Sequence, residues 1–335
     1  MAIRLKPLAE QVVVITGATS GIGLVVSRNA AARGARVMLV ARDGRALEQI
    51  RDQIIAAGGV AEFAVADVGD AAQLRAAGDA AVARFGHIDS WISNAGVAIY
   101  GRLLDTPLEE HERLFRTDYF GTVNSAETAI RHLRERGGAL IAIGSIVCDI
   151  PTPVLGAYAA AKHAVKGYIE SLALEVRADG LPISITLVKP SGIDTPIGEH
   201  AANHGSGEAL IPPPAYDPQL VADAVLHACE HPVRVVTVGG VGRLQVLAGV
   251  HFPRLLDWIT PFMRRKLYDR ETPKTRRDAV FAPFDEGRER SRRERPRRVS
   301  LYTAAQRRPA GAAAVAVLLG GLAAMLWSTR KTRRR

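Results

Sequence analysis

The sequence predicts an α/β fold built on a doubly wound parallel sheet of about seven strands, with helices on both faces. Three observations support this fold: short apolar runs alternate with longer helical patterns, a glycine-rich turn follows the first apolar run, and polar residues follow several later runs. Such alternation is typical of parallel sheets covered by helices. Ligands of these folds bind at the carboxyl ends of the strands, so we expect a site where the polar residues meet.

The expected elements follow one another with short connections. Strands are predicted near residues 11–16, 36–41, 60–66, 88–93, 139–144, 183–189 and 233–238. Helices are predicted near residues 22–33, 44–57, 71–85, 107–135, 155–178 and 217–230. This order assigns residues 1–240 to one catalytic domain, a size that buries a substantial core.

The turn at residues 17–23 joins the first strand to the first helix and contains Gly17, Gly21 and Gly23. Glycines allow the backbone to approach a diphosphate, and the amino terminus of a helix supplies free N–H groups and a positive potential. The pattern therefore predicts a dinucleotide site, with an ordinary tight turn as the alternative.

Tyr158 and Lys162 are four residues apart on a predicted helix, and Ser145 lies thirteen positions before the tyrosine. Residues at this spacing share one helix face. An ammonium beside a phenol favours the phenolate, which lowers the tyrosine pKa from its usual value of about 10. A serine hydroxyl nearby can hold a carbonyl or alcohol oxygen. The three residues predict proton transfer to or from an oxygen, whereas a surface Tyr/Lys pair is the plain alternative.

Together, these features resemble the short-chain dehydrogenase/reductase family over roughly residues 10–240. The matching segments, in family order and at family spacing, are Thr16-Gly17-xxx-Gly21-Ile22-Gly23, Asp67, Asn94-Ala95-Gly96, Ser145, Tyr158-xxx-Lys162 and Pro190-Ser191-Gly192-Ile193-Asp194-Thr195. The resemblance implies a Rossmann-type nicotinamide enzyme. It implies that Tyr158 passes the proton, that Lys162 lowers its pKa and holds the nicotinamide ribose, and that Ser145 positions the substrate oxygen.

The resemblance also implies a set of cofactor contacts, with Asn94 and Thr195 near the nicotinamide and Asp67 near the adenine. The residues expected to bind the cofactor are Gly17, Thr19, Ser20, Gly21, Ile22, Gly23, Arg42, Asp67, Val68, Asn94, Ala95, Gly96, Tyr158, Lys162, Pro190, Gly192, Ile193 and Thr195.

Asp118 departs from the family pattern and joins the expected catalytic residues. Relatives carry an asparagine before x-x-Gly on the long fourth helix, where it holds a water that links the lysine to solvent; here the stretch is Arg116-Thr117-Asp118-Tyr119-Phe120-Gly121. A carboxylate accepts hydrogen bonds but donates none. Its charge would stabilise the Lys162 ammonium and oppose a Tyr158 phenolate. We expect retained activity with an altered pH profile.

The end of the second strand bears on the choice of cofactor. No acidic residue stands where one would bind the ribose 2′-hydroxyl of NAD; Arg42 follows the strand instead, and a guanidinium pairs well with a 2′-phosphate. Asp43, one position later, is the counter-signal, and Ser20 is neutral where many NADP-preferring relatives carry a basic residue. The sequence predicts NADP(H) as the preferred cofactor, with NAD(H) possible.

Charge is distributed unevenly along the chain. Residues 264–335 carry a net charge of +14, and the remainder carries −4. Cys148 and Cys229 do not suggest a disulfide framework, and no Cys/His cluster has metal-ligand spacing, so no metal is expected. Nucleic acid is an unlikely partner, because no aromatic residues or known binding module accompany the arginines.

The sequence beyond residue 240 predicts a membrane attachment. Residues 241–270 form an apolar, amphipathic extension that packs on the domain or dips into a membrane, and residues 271–309 read as a basic, flexible linker. An uncharged stretch near 310–329 is long enough to span a bilayer core, with a packed or interfacial helix as the alternative, and a basic tail occupies 330–335. We therefore expect a membrane-associated protein with its catalytic domain on the cytosolic side.

The leading functional prediction is an NADP(H)-dependent oxidoreductase that interconverts a carbonyl and an alcohol on an apolar small molecule. The alternative is a membrane-tethered scaffold or sensor that binds dinucleotide without turnover; measurable turnover would exclude it. The resemblance further implies a homo-oligomer formed through the helices at 107–135 and 155–178. Substrate identity and physiological direction stay open.

Overall fold

A seven-stranded parallel sheet forms the centre of the protein. The computed structural model describes residues 3–211, 213–265, 267–269, 271–272, 278–283, 287–292 and 296–307. The sheet strands are β1 (Val12–Thr16), β2 (Arg36–Ala41), β3 (Val60–Val65), β4 (Ser90–Ser93), β6 (Gly138–Ile143), β7 (Ile183–Pro190) and β10 (Val235–Val238). Their spatial order is β10-β7-β6-β4-β1-β2-β3, and every neighbouring pair is parallel.

Four very short strands lie outside this sheet. β5 (Ile99–Tyr100) pairs with β8 (Ala202–Asn203), and β9 (Glu208–Ala209) pairs with β11 (Tyr268–Asp269). The α-helices are α1 (Gly21–Ala32), α2 (Gly44–Ala56), α3 (Ala71–Phe85), α4 (Leu108–Phe115), α5 (Gly121–Leu133), α6 (Gly156–Ala178), α7 (Pro218–Glu230), α8 (Gly240–His251), α9 (Pro253–Arg265) and α10 (Leu301–Arg307).

Two apolar cores lie on opposite faces of the sheet. One contains residues of α1, α2 and α7, and the other contains residues of α3, α5 and α6. Every residue of β1, β4, β6 and β7 is buried, as expected for strands covered on both faces. The prediction of a doubly wound parallel sheet of Rossmann type is confirmed.

The single helix predicted over 107–135 is interrupted. A π-helical turn, Arg116–Phe120, separates α4 from α5. Such a turn inserts an extra residue into the helix and is frequent at functional sites. Apolar periodicity does not reveal it, because the helix continues in nearly the same direction on both sides. The turn contains Asp118, one of the residues that the sequence predicts for the site.

The region predicted as a flexible linker over 271–309 differs from that expectation where the structure describes it. α10 packs beside β10: Gln306 Nε2 donates to Thr237 O at 2.7 Å, and Gly239 N donates to Thr303 Oγ1 at 3.0 Å. Composition predicts a solvated segment because it counts the charges of the arginines. Arg288, Arg290 and Arg292, however, pair with carboxylates of the domain, so their charge does not keep the segment in solvent.

The predicted membrane span at 310–329 and the basic tail at 330–335 lie outside the described residues. Within the described part of the chain, no helix combines the length and the apolar character needed to cross a bilayer.

Candidate active site

A cavity of about 410 Å³ opens at the carboxyl ends of the sheet strands. Most of the residues that the sequence predicts for the site line it together. They are Gly17, Thr19, Ser20, Gly21, Ile22, Arg42, Asp67, Val68, Asn94, Ala95, Gly96, Ser145, Tyr158, Lys162, Pro190, Gly192, Ile193 and Thr195. Gly23 and Asp118 lie directly behind this wall, against Gly17 and Lys162 respectively.

The glycine turn is shaped by close backbone contacts. A Cβ on Gly23 would lie 2.0 Å from Gly17 O, and Gly17 itself has a φ of +66°, so both positions require glycine. Asn94 Nδ2 braces the turn by donating to Thr16 O at 3.0 Å and to Gly17 O at 3.2 Å. The result is a side-chain-free cradle beside the amino terminus of α1, which fits the diphosphate of a dinucleotide.

Ser145, Tyr158 and Lys162 converge at the other end of the cavity. Ser145 follows β6 and caps a short 3₁₀ turn, in which Val147 N donates to Ser145 Oγ at 3.3 Å. Tyr158 and Lys162 occupy the first two turns of α6, with Lys162 Nζ 5.5 Å from the phenol ring centre. The Ser145 side chain acts on the phenol and lowers its pKa. The geometry places a hydroxyl, a phenol and an ammonium around one small volume.

The Lys162 ammonium is almost fully buried and is held from two sides. Its Nζ lies 3.2 Å from Asp118 Oδ2 and donates to Ile143 O at 3.2 Å. Burial alone would lower the pKa of this lysine, but the Asp118 carboxylate, together with smaller contributions from Tyr158 and Cys148, raises it. Asp118 has no exposed surface, and its Oδ1 accepts a hydrogen bond from Val97 N at 2.8 Å. Lys162 therefore stays protonated.

The pKa of Tyr158 moves in the opposite direction from the sequence expectation. Burial raises the pKa of the phenol above its ordinary value; Lys162 acts to lower it, Asp118 acts to raise it, and the Ser145 side chain acts to lower it. The ammonium is thus present, as predicted, but burial outweighs it. Tyr158 is held as a protonated donor.

Asp149 is a site residue that the sequence analysis missed. It follows the Ser145 turn, and its two oxygens accept from Lys166 Nζ at 2.5 Å and Lys189 Nζ at 2.7 Å. Burial alone would raise the pKa of Asp149, but the two hydrogen bonds and charges hold it below the usual range. The network ties the Ser145 turn to α6 and β7. The sequence did contain one indication of this network. Lys189 lies near the end of a predicted buried strand, and a buried lysine usually has an acidic partner.

The adenine end of the cavity carries charged groups that are less deeply buried. Asp67 Oδ2 accepts from Arg113 Nη2 at 2.5 Å, and Asp67 Oδ1 accepts from Gly69 N at 2.9 Å. Arg42 lies where the sequence expects a guanidinium, at the end of β2. Asp43, the counter-signal for NAD, caps α2 by accepting from Ala46 N at 3.0 Å.

The substrate side of the cavity is mainly apolar. Its walls come from the Ser145 turn, the segment after β7, and helices α8 and α9. The apolar residues that line it include Ile146, Val147, Ile150, Leu155, Ile197, Ile211, Ala248 and Ile259.

Comparisons with known proteins agree with this geometry. A short chain dehydrogenase family model matches residues 11–205. The Bacillus subtilis (strain 168) protein called uncharacterized oxidoreductase YxnA is 36% identical over 338 residues, covering 98% of this chain and 93% of its own length. The Bos taurus dehydrogenase/reductase SDR family member 7B is 36% identical over 197 residues, covering 57% of this chain and 60% of its own length.

Two solved structures share the fold. A short chain dehydrogenase/reductase from Burkholderia phymatum in complex with NAD superposes with a TM-score of 0.67 at 22% identity, covering 76% of this chain and 96% of its own. An alcohol dehydrogenase from Thermococcus sibiricus complexed with 5-hydroxy-NADP gives 0.60 at 25% identity, covering 68% of this chain and 94% of its own. With the family match over more than half of the chain, the conclusion is that this chain belongs to the short chain dehydrogenase family and is an NAD(P)-dependent oxidoreductase.

Proposed function

We propose that the protein interconverts a carbonyl and an alcohol on an apolar small molecule, with Tyr158 as the proton donor or acceptor and NADP(H) as the preferred cofactor. The observation that carries the proposal is that Tyr158, partly buried, lines one cavity together with Ser145, Lys162 and the glycine cradle, with the Lys162 ammonium 5.5 Å from its ring centre. When bound, the nicotinamide supplies or accepts the hydride.

Ser145, Tyr158 and Lys162 each have a separate role in positioning the substrate and transferring the proton. The Ser145 hydroxyl holds the substrate oxygen, and the Tyr158 hydroxyl donates its proton to that oxygen during reduction. Lys162 keeps a fixed positive charge near the phenol, which stabilises the phenolate that donation leaves behind. Its charge is maintained by Asp118 at 3.2 Å.

The preference for NADP(H) rests on Arg42. Its guanidinium lies at the end of β2 on the cavity wall, where it also donates to the Ala279 carbonyl, and the neighbouring carboxylate of Asp43 caps a helix. A planar guanidinium suits a 2′-phosphate, and a capping carboxylate is less free to bind a ribose 2′-hydroxyl. Among solved relatives in fold, one holds NAD and another a modified NADP, so the fold itself accommodates both.

The experiment is an NADPH-oxidation screen of detergent-solubilised protein against apolar ketones, aldehydes and quinones, with Tyr158→Phe as the control. We expect turnover by the parent and a loss on the order of 10²–10⁴-fold in the variant, the range for removal of a general acid. Dinucleotide binding should be retained, because the ring still packs in place. Full activity of Tyr158→Phe would refute the mechanism, and binding without turnover on every substrate would favour the non-catalytic scaffold.

Membrane association is proposed on the exposed faces of α8 and α9. Large apolar side chains are exposed there, among them Leu244, Val250, Phe252 and Trp258, and these helices also line the substrate cavity. Exposed apolar surface next to a cavity mouth suits a lipid interface. Full-length protein should sediment with membranes and resist release by 1 M salt, since burial of apolar side chains is not screened (about 3 Å Debye length at that salt). Complete release by salt would refute it.

A further inference from the structure

Two described pieces of the C-terminal region contact residues that line the dinucleotide cleft. We call the two described pieces that do this, residues 278–283 and 287–292, the C-terminal strap. The first piece lies at the adenine end, where Ala279 and Pro283 line the same cavity as Arg42 and Asp67. The second piece lies over the glycine turn, where Gly21 N donates to Arg288 O at 2.8 Å.

The adenine piece of the strap is held by the groups expected to bind the cofactor. Arg42 Nη2 donates to Ala279 O at 2.5 Å, and Arg42 Nη1 donates to Val280 O at 3.4 Å. Arg113 Nε donates to the same Val280 oxygen at 3.0 Å. The Val280 side chain is fully buried in the cluster that contains Val97 and part of α4. This piece is therefore anchored by both carbonyl contacts and apolar packing.

The glycine-turn piece of the strap is held by charged contacts to three parts of the domain. Arg28 of α1 pairs with Glu289 at 2.5 Å. In the segment after β7, Glu199 pairs with Arg288 at 2.5 Å, and at the start of α7 both oxygens of Asp217 accept from Arg290 Nη2, at 3.0 and 3.1 Å.

Two further hydrogen bonds join the strap to the segment after β7, part of which lines the cofactor site. Ser291 Oγ donates to Asp194 Oδ1 at 2.5 Å, and Ser291 N donates to the same oxygen at 3.2 Å. Asp194 has no exposed surface.

Glu199, the partner of Arg288, stays charged near neutral pH. Burial alone would raise the pKa of Glu199, but its hydrogen bonds hold that pKa below the usual range.

We propose that the C-terminal strap is the outer wall of the dinucleotide site and controls exchange of the bound dinucleotide. This inference rests on the proposed function in one respect, that the cavity binds NAD(P)(H). Its first piece lies beside Arg42 and Asp67, where the adenosine half of a bound dinucleotide is expected, and its second piece joins α1 to the segment after β7. Release requires the charged contacts to break, and the strap thereby slows dissociation.

Arginines of this region bind carboxylates of the protein's own domain. A basic run such as Arg288–Arg292 reads as a surface for anionic partners, yet Arg288 and Arg290 each bind a carboxylate of their own domain. Hydrogen bonds between charged groups are stronger than neutral ones. Glu199 is 13% exposed and Asp217 is 5% exposed, so solvent and salt screen these contacts less than they screen surface pairs.

The test measures release of NADPH from the full chain by stopped-flow fluorescence, with excess NADP⁺ as the displacing ligand. The variant Arg288→Ala/Arg290→Ala removes the two charged anchors. Its matched control is Arg297→Ala/Arg298→Ala, which removes the same charge from exposed side chains of the same region. A second variant, Val280→Asp, dislodges the adenine piece, and Phe281→Asp is its control because Phe281 is 55% exposed.

We expect release from Arg288→Ala/Arg290→Ala to be on the order of ten- to a hundredfold faster than from the parent, the range for lost hydrogen bonds between charged groups. Val280→Asp should also accelerate release, and both controls should match the parent. Parent-like release from both strap variants would overturn the proposal. Failure of the parent to bind either dinucleotide would instead refute the proposed function, so the two failures are distinguishable.

Discussion

The two ends of the cleft are stabilised in different ways. At the nicotinamide end, Asp118, Lys162 and Asp149 are buried charges that lie on or beside regular elements of the sheet domain. At the adenine end, Arg42 and Asp67 are partly exposed and are joined to side chains and carbonyls from distant parts of the chain. The first end is held by buried charges, and the second by contacts between segments that are distant in sequence. The two proposals above place the chemistry at the first end and dinucleotide exchange at the second.

Asp149→Asn tests the rigid end and should give the largest effect on stability. One buried ammonium would lose its charged partner, and breaking a buried pair costs about 3–5 kcal/mol of the free energy of unfolding. The measurement is urea denaturation without dinucleotide. The control is Asp105→Asn, which removes an exposed partner of Arg102 and should cost under about 1 kcal/mol. Equal effects in the two variants would contradict the assignment of Asp149 to a buried charge network at the rigid end.

Arg42→Ala tests the mobile end. Loss of a bidentate charged contact should weaken NADPH binding on the order of ten- to a hundredfold. NADH binding should fall less, and only through the lost strap carbonyl contacts. Dissociation constants for both cofactors are the measurement, and Arg45→Ala, an exposed neighbour, is the control. Equal losses for the two cofactors would leave Arg42 as an anchor of the strap and would refute the predicted preference.

Asp118→Asn gives the subtlest expected change, a shift in pH dependence. Oxidation of an alcohol requires the Tyr158 phenolate, so its rate rises with pH through the pKa of that phenol. Asp118 contributes to raising this pKa. Removing its charge lowers the pKa, and the rising limb of the oxidation profile should move to lower pH. The measurement is kcat against pH for the parent, Asp118→Asn and Asp105→Asn. An unchanged limb, or one moved to higher pH, would exclude a role for Asp118 in setting the phenol's pKa.

The sequence predicted the sheet and the groups of the rigid end because these follow from local patterns. Gly17, Gly23 and the Tyr158/Lys162 spacing are each recognisable within a short window, and strand order follows from alternating elements. The direction in which the Tyr158 pKa is shifted was not predictable from the sequence. It depends on how completely α6 and the apolar cluster that contains Val280 exclude water from the phenol. The role of Asp149 required knowledge that Lys166 and Lys189 meet it in space.

The mobile end was the least predictable part of the molecule. Val280 reaches Arg42 across 238 positions of sequence, and Glu289 reaches Arg28 across 261. No periodicity or motif encodes such pairs. The arginine-rich composition of this region pointed to a solvated linker, because composition reports charge but not the carboxylates that the fold brings to it.

These long separations bear on the order in which the protein matures during synthesis. Contacts distant in sequence form late, because the chain between them must first be ordered, and domains fold from the amino terminus as they leave the ribosome. The sheet domain is complete by β10, whereas the two pieces of the strap emerge about forty and fifty residues later (residues 235–238 against 278–283 and 287–292). A nascent chain would therefore acquire its catalytic groups before it acquires the means to retain a dinucleotide, and cofactor retention would be the last property to appear.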